Sequence, residues 1–391
     1  MRKVLLAVSL LVGGAALAQQ DLQEQIHQLK MEVEQLRMAT LPPPPPSDMQ
    51  PPAEGQSPLH KKFNMYFNFQ SSFDAEKAQG TDMTTRFRGR QLRLEVRGDL
   101  TDRIFYRFRH RLNKSNVALS LDNLADATDM MYAGFRLNEK WSVTAGKLCQ
   151  MWGGFEYDLN PMNIYEYSDF LNNMDNFMVG AMVAYTPNPN HEFILQVTDV
   201  RNRELKDIYA GIASTTITAA NSPLAYIANW NGNFFDGVLQ TRWGAGIQTE
   251  ANGYNNTLVM LGTKLNLSKF QIFVDYMMSN DELDRLRYTP LSGSQIVKNA
   301  RYNSVVTKAE FQPNPKWNLF VKGMYETAES SLVNNKLTSL GYYAGVEYLP
   351  FATEDLRFFL AYIGRSKKVE TLSSVATNRV SVGLMYRIKA F

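Results

Sequence analysis

The sequence predicts an all-β fold, a sixteen-stranded antiparallel transmembrane β-barrel with a short N-terminal coiled-coil helix and a proline-rich linker. Three observations carry that expectation. From Lys61 onward the chain falls into segments of about ten residues in which apolar and polar side chains alternate, as on a strand with two different faces. The connections between segments alternate short and long, like the periplasmic turns and extracellular loops of a membrane barrel. Beyond the first residues, no segment holds the roughly 18 consecutive apolar residues that a membrane-spanning helix needs.

Residues 1–18 read as a secretory signal peptide. Arg2 and Lys3 form the positive start, Val4 to Leu17 the apolar stretch, and Ala16-Leu17-Ala18 a small-residue cleavage site before Gln19. No cysteine stands at the cut, which argues against a lipoprotein. In residues 19–40, Leu22, Ile26, Leu29, Val33 and Leu36 follow a heptad seam. Little more than two repeats are too short to be stable alone. The helix is therefore expected to follow the barrel's oligomeric state, with a lone amphipathic helix as the alternative. Residues 41–60 include LPPPPPSDMQPPAEGQSP, whose prolines favour a semi-rigid polyproline II spacer. It is expected to hold the helix off the barrel in the periplasm.

Residues 61–391 are the expected barrel. In the first strand Phe63, Met65, Phe67 and Phe69 oppose Asn64, Tyr66, Asn68 and Gln70. Further on, Leu92, Leu94 and Val96 oppose Arg93, Glu95 and Arg97, and Trp243, Ala245 and Ile247 oppose Arg242, Gly244 and Gln248. Trp317, Leu319 and Val321 oppose Asn318, Phe320 and Lys322, and Val380 to Ile388 oppose Arg379 to Arg387 in the same way. Sixteen such segments centre near residues 66, 92, 107, 133, 144, 181, 195, 227, 243, 261, 273, 305, 321, 344, 360 and 384. The eighth (PLAYIANWN) and fifteenth (LRFFLAYIG) alternate poorly. The fifteenth is apolar on both faces, which suggests packing against a neighbouring subunit or a loop.

The short connections are GDLTD, NEK, PNPN, GNFFD, LSK, PNP and PFATE. The long ones run through 72–83, 114–128, 150–175, 200–222, 250–256, 279–299, 329–338 and 366–377. An even strand number places both barrel ends on one side. The final GLMYRIKAF ends in Phe391, but Arg387 and Lys389 share its parity. Ending the strand near Ile388, with Lys389 to Phe391 as an extension, restores the alternation.

Composition narrows the partners. The net charge of +3 is too small to suggest nucleic acid. The single cysteine, Cys149, rules out an internal disulfide framework. Histidines at 27, 60, 110 and 191 are scattered, so no metal or cofactor is expected. The 19 tyrosines and 22 phenylalanines suit the aromatic girdles of a barrel in outer-membrane lipid.

The third strand, RIFYRFRHRL, puts Arg107, Arg109 and Arg111 on one face and Tyr106, Phe108 and Leu112 on the other. With Arg93 and Arg97 of the second strand they form an arginine wall, and Arg242 of the ninth adds a further inward cation. Guanidinium groups stay charged and grip carboxylate or phosphate with a fork of donors, so such a wall favours anions. Arginine equally serves to solvate any aqueous lumen, and Glu95 sits among these cations. The long segment Met151 to Asp175 is aromatic enough to fold inward. Glu156, Asp158, Glu166 and Asp169 would then face the arginines across a constriction, or else sit at the outer rim.

With the signal peptide, coiled coil and linker before it, WSVTAGKLCQMWGGFEYDLNP (141–161) resembles the strand-to-loop junction of the phosphate-selective porin O and P family. That resemblance implies a homotrimer of barrels in the outer membrane of a Gram-negative bacterium. It also implies a third long loop folded into each lumen and passive diffusion of small anions such as phosphate. The carboxylates of the expected constriction depart from a purely cationic phosphate filter. Two rivals remain: a structural or adhesive barrel with a closed lumen, and a barrel enzyme. The enzyme would need a nucleophile or paired carboxylates beside His110 or His191, and neither histidine has an evident partner.

Overall fold

In the computed structural model, which describes residues 62–209, 217–286, 298–331 and 333–391, the alternation resolves into sixteen strands. The segments 1–18, 19–40 and 41–60, expected as signal peptide, coiled coil and linker, lie outside the described residues. The first eight strands are β1 (Asn64–Ala78), β2 (Thr84–Asp99), β3 (Ile104–Arg111), β4 (Thr128–Arg136), β5 (Trp141–Cys149), β6 (Phe177–Asn188), β7 (His191–Asp199) and β8 (Leu224–Phe234). The rest are β9 (Leu239–Ala251), β10 (Tyr254–Asn266), β11 (Phe270–Leu283), β12 (Lys298–Asn314), β13 (Trp317–Ser330), β14 (Val333–Tyr348), β15 (Asp355–Val369) and β16 (Val375–Lys389). Each pairs antiparallel with its sequence neighbours, and β1 pairs with β16 to close the barrel. Closure leaves no unpaired edge, the condition for a sheet to survive in lipid.

Facing follows side-chain parity. On β13, Val321 is 56% exposed while Phe320 beside it is 3% exposed. Near the short turns, Trp141 stacks on Tyr185 at 4.5 Å, Trp317 packs on Tyr348 at 4.8 Å and Trp230 meets Trp243 at 5.3 Å. These rings form the girdle expected at a membrane interface. At the same end, Ala390 N donates to the Met65 carbonyl at 2.9 Å, and the Phe391 ring meets Phe63 edge-on at 5.5 Å. The last residues therefore form an extension that brings the terminal aromatic back beside the outward-facing Phe63.

Four of the expected long loops are mostly strand. β1 runs to Ala78 and β2 starts at Thr84, while β9 and β10 leave only residues 252 and 253 between them. Only residues 331 and 332 separate β13 from β14, and residues 370–374 separate β15 from β16. The strands continue beyond the segments where alternation is sustained, and the ladder persists: Asp74 still pairs with Arg86, Glu76 with Thr84, and the outward Phe73 packs on Phe87 at 5.0 Å. Long connections remain at 112–127, 150–176, 200–223 and 284–297.

The lumen is filled on one side. Inward residues of β8 to β16, among them Ile227, Phe273, Phe320, Phe359 and Ile363, pack with Trp152, Phe155, Met162, Tyr165 and Phe170 of the connection 150–176 in one apolar cluster. This accounts for the weak alternation of the eighth and fifteenth strands. Their outer faces meet lipid and their inner faces meet the loop.

Candidate permeation site

The loop enters the lumen through two consecutive glycines in the left-handed region, Gly153 at φ 97° and Gly154 at φ 83°. Side chains are strained there, so glycine suits the turn. Gly154 N donates to the Arg242 carbonyl at 2.9 Å, tying the turn to β9. The wall makes room for it: a Cβ on Gly246 would lie 2.9 Å from the Trp152 ring, and one on Gly262 would lie 2.9 Å from Gly154 Cα.

Wall carboxylates then cap the loop's two helical turns. Asp275 of β11 accepts from Phe155 N at 2.8 Å and Glu156 N at 2.7 Å, at the start of the turn Phe155–Asp158. Glu326 of β13 accepts from Asp169 N at 2.7 Å and Phe170 N at 2.9 Å, at the start of Asp169–Asn172. Both satisfy amides that a helix start leaves without intrahelical partners. Tyr165 OH donates to Glu347 at 2.7 Å, and burial raises that phenol well above its usual range.

The loop's own acids complete the attachment. Glu156 pairs with Lys322 of β13, Asp158 with Arg242 of β9 at 3.1 Å, and Glu166 with Arg379 of β16 at 2.7 Å. Asp169 pairs with Arg365 and with Lys367 of β15, the latter at 3.2 Å. Glu156, Asp158 and Asp169 thus bind cations of the wall behind the loop, where the apolar cluster holds it, instead of the β2–β3 arginines they were expected to face. Of the four, Glu166 borders the remaining opening, and Arg242 is committed to the loop through Asp158 and the Phe155 ring, 5.4 Å from its guanidinium.

The opposite wall carries the arginines. Register places Arg93 across from Arg111, Glu95 from Arg109 and Arg97 from Arg107. Arg93 and Arg109 reach one oxygen of Asp129 at 2.9 and 3.1 Å, and Arg111 reaches the other at 2.7 Å. Glu95 lies 3.0 Å from Arg107, 3.4 Å from Arg387 and 3.8 Å from Arg97. Three guanidinium groups therefore share each buried carboxylate, which leaves each cluster positive.

Further along β2, Arg88 and Arg90 share Asp74 at 3.1 and 2.6 Å. These residues and Arg86 line an opening of about 560 Å³, bounded across the gap by Ile164 to Tyr167 and Asn172 of the loop. Burial pushes the Tyr167 phenol up to about 12, so it stands there as a neutral hydroxyl.

The residues nearest the opening escaped the sequence reading. A register shift between Gln70 and Ser71 pairs Gln70 with Gln91 but Ser71 with Gly89, so Arg90 is an extra residue in β2. Such a bulge breaks period two, hiding the run Arg86-Phe87-Arg88-Gly89-Arg90. Its basic composition was the available signal.

Solved structures similar to this chain include outer-membrane channels. The DcaP channel of Acinetobacter baumannii superposes with a TM-score of 0.61 at 11% identity, covering 86% of this chain and 100% of that one. An anion-selective porin from Comamonas acidovorans gives 0.53 at 12% identity, covering 84% and 99%. OmpT of Vibrio cholerae in a trimer form gives 0.52 at 11%, covering 84% and 100%. At these identities the likeness is one of fold. No curated protein matches in sequence. The sequence model of phosphate-selective porin O and P matches residues 63–388, nearly the whole barrel.

Proposed function

We propose, because this chain belongs to the phosphate-selective porin O and P family and is an outer-membrane porin, that its channel passes small hydrophilic solutes by diffusion and prefers anions, phosphate among them. The observation that carries this reading is the division of the lumen. Glu156, Asp158 and Asp169 are spent on cations of the β9, β13 and β15 wall. The open side is bordered by Arg86, Arg88 and Arg90 and by Glu166 in its pair with Arg379, with the buried Asp129 and Glu95 arginine clusters further along the arginine wall. A positive lining of this kind lowers the cost of an anion leaving bulk water and raises that of a cation.

On this reading Glu156, Asp158, Glu166 and Asp169 act as fasteners, and Arg86, Arg88 and Arg90 as the lining solutes meet. The anion-selective porin of similar fold from Comamonas acidovorans is consistent with such selectivity. The trimer form of OmpT is consistent with a homotrimer. The short-turn end, where Phe63 meets Phe391, is read as the periplasmic side.

Planar-bilayer recordings of the purified protein in a potassium chloride gradient test the proposal. The expected result is open-channel steps with a reversal potential displaced toward that of chloride. A displacement toward potassium would reject anion preference, and absence of steps would reject the open pore.

A further inference from the structure

The opening offers more than a grip for a bare ion. Its volume of about 560 Å³ compares with roughly 30 Å³ per water molecule in the liquid, and lies within the ~300–1,000 Å³ of sites that hold organic ligands. Three chemically distinct surfaces meet in it. β2 contributes the guanidinium groups of Arg86, Arg88 and Arg90. The loop contributes the carbon-rich faces of Ile164 and Tyr167, beside the Glu166 carboxylate in its ion pair with Arg379.

β1 contributes Gln70, which is only 1% exposed. Neither its amide nitrogen nor its amide oxygen has a hydrogen-bond partner among the described residues. Two positions along the same face, Asn68 is fully buried with both amide atoms likewise unpartnered, and register places it across from Arg93. A carboxamide both donates and accepts, and leaving it unmatched in a buried position costs about 1–3 kcal/mol. Chloride accepts but cannot donate, so it leaves the amide oxygens unmatched. Inorganic phosphate has no carbon chain to cover Ile164 and Tyr167. A hydroxyl on a carbon chain next to an anionic group meets all three surfaces.

We propose that this opening favours small hydroxylated organic anions over inorganic ones. The charged group sits against the β2 arginines, of which Arg88 and Arg90 are held in place by Asp74 and Glu76, the hydroxyls pair with the Gln70 amide, and the carbon chain rests on the loop. The inference deepens the anion-channel reading and rests on it.

Chloride current through the purified full-length protein in planar bilayers, blocked by added solutes, provides the test. Glycerate and propionate share a three-carbon chain and one carboxylate, and differ by two hydroxyls. Glycerol 3-phosphate and inorganic phosphate supply the corresponding phosphate pair. The half-blocking concentration of glycerate is expected to be about threefold to tenfold below that of propionate, the worth of roughly one net hydrogen bond. Glycerol 3-phosphate should lead inorganic phosphate in the same sense, and the order of the two hydroxylated anions shows which charged group the arginines prefer. Gln70→Leu should bring the glycerate-to-propionate ratio close to one, and any conducting channel certifies that the variant barrel has formed. Equal block by glycerate and propionate in the unaltered protein, tightest block by inorganic phosphate, or an unchanged ratio in Gln70→Leu would overturn the inference. Each of those results leaves a chloride-directed reversal potential intact, whereas failure of the anion-channel reading abolishes it.

Discussion

Asp129 holds Arg93, Arg109 and Arg111 together within 3.1 Å. Asp129→Asn keeps the shape and removes the only negative charge of that cluster. Anion-over-cation permeability should rise, by about twofold if one charge near the path shifts the barrier by a few tenths of a kcal/mol. Stability should fall, because uncompensated buried charge costs about 3–5 kcal/mol; a lower denaturant midpoint for barrel unfolding would register it. An unchanged permeability ratio would place the cluster away from the permeating ions. A neighbouring test concerns space. Gly262→Val puts a side chain where Gly154 and Phe155 of the loop now lie, so it should displace the loop and raise single-channel conductance. Identical conductance would mean that the loop's seat does not set the width of the pore.

The sixteen strands were legible because each crosses lipid with one greasy face and one wet face, and period two survives wherever those surroundings differ. It was lost where they do not. At the ends of β1 and β2 polar side chains predominate and only the pair Phe73–Phe87 marks the outer face, and on β15 both faces are apolar because Phe359 packs on Tyr165 of the loop at 5.0 Å. The wall arginines of β3 were legible by parity. Arg86, Arg88 and Arg90 were hidden by the bulge at Gln70. The roles of Asp275 and Glu326 were invisible for another reason. Capping a loop more than a hundred residues away leaves no local pattern, as the separation of 157 residues between Asp169 and Glu326 illustrates. Glu326→Ala removes two charge-assisted bonds to the loop, each worth about 1.5–3 kcal/mol. It should make the open channel flicker, with more frequent conductance transitions than the parent. A quiet channel would assign the anchoring to the apolar cluster alone.

Across the whole molecule, the barrel divides its interior into a filled half and an open half. The filled half joins the loop to β8 through β16 by apolar packing, glycine clearance and ion pairs. The open half is bordered by Arg86, Arg88 and Arg90 of β2, while Arg93, Arg107 and Arg109 lie buried in their ion-pair clusters on the same wall. Because guanidinium groups do not titrate in the working range, anion preference should stay flat from about pH 6 to about pH 9, with no step in reversal potential. A step in that interval would show that a titrating group other than the guanidiniums takes part in selection.

The most direct measurement compares the chloride-to-potassium permeability ratio of the parent protein with that of a variant carrying Arg86→Gln, Arg88→Gln and Arg90→Gln. If solutes pass on the arginine side, the parent ratio lies above one and the triple variant falls toward one. An equal ratio in both would show that ions cross elsewhere in the barrel, and would contradict the account.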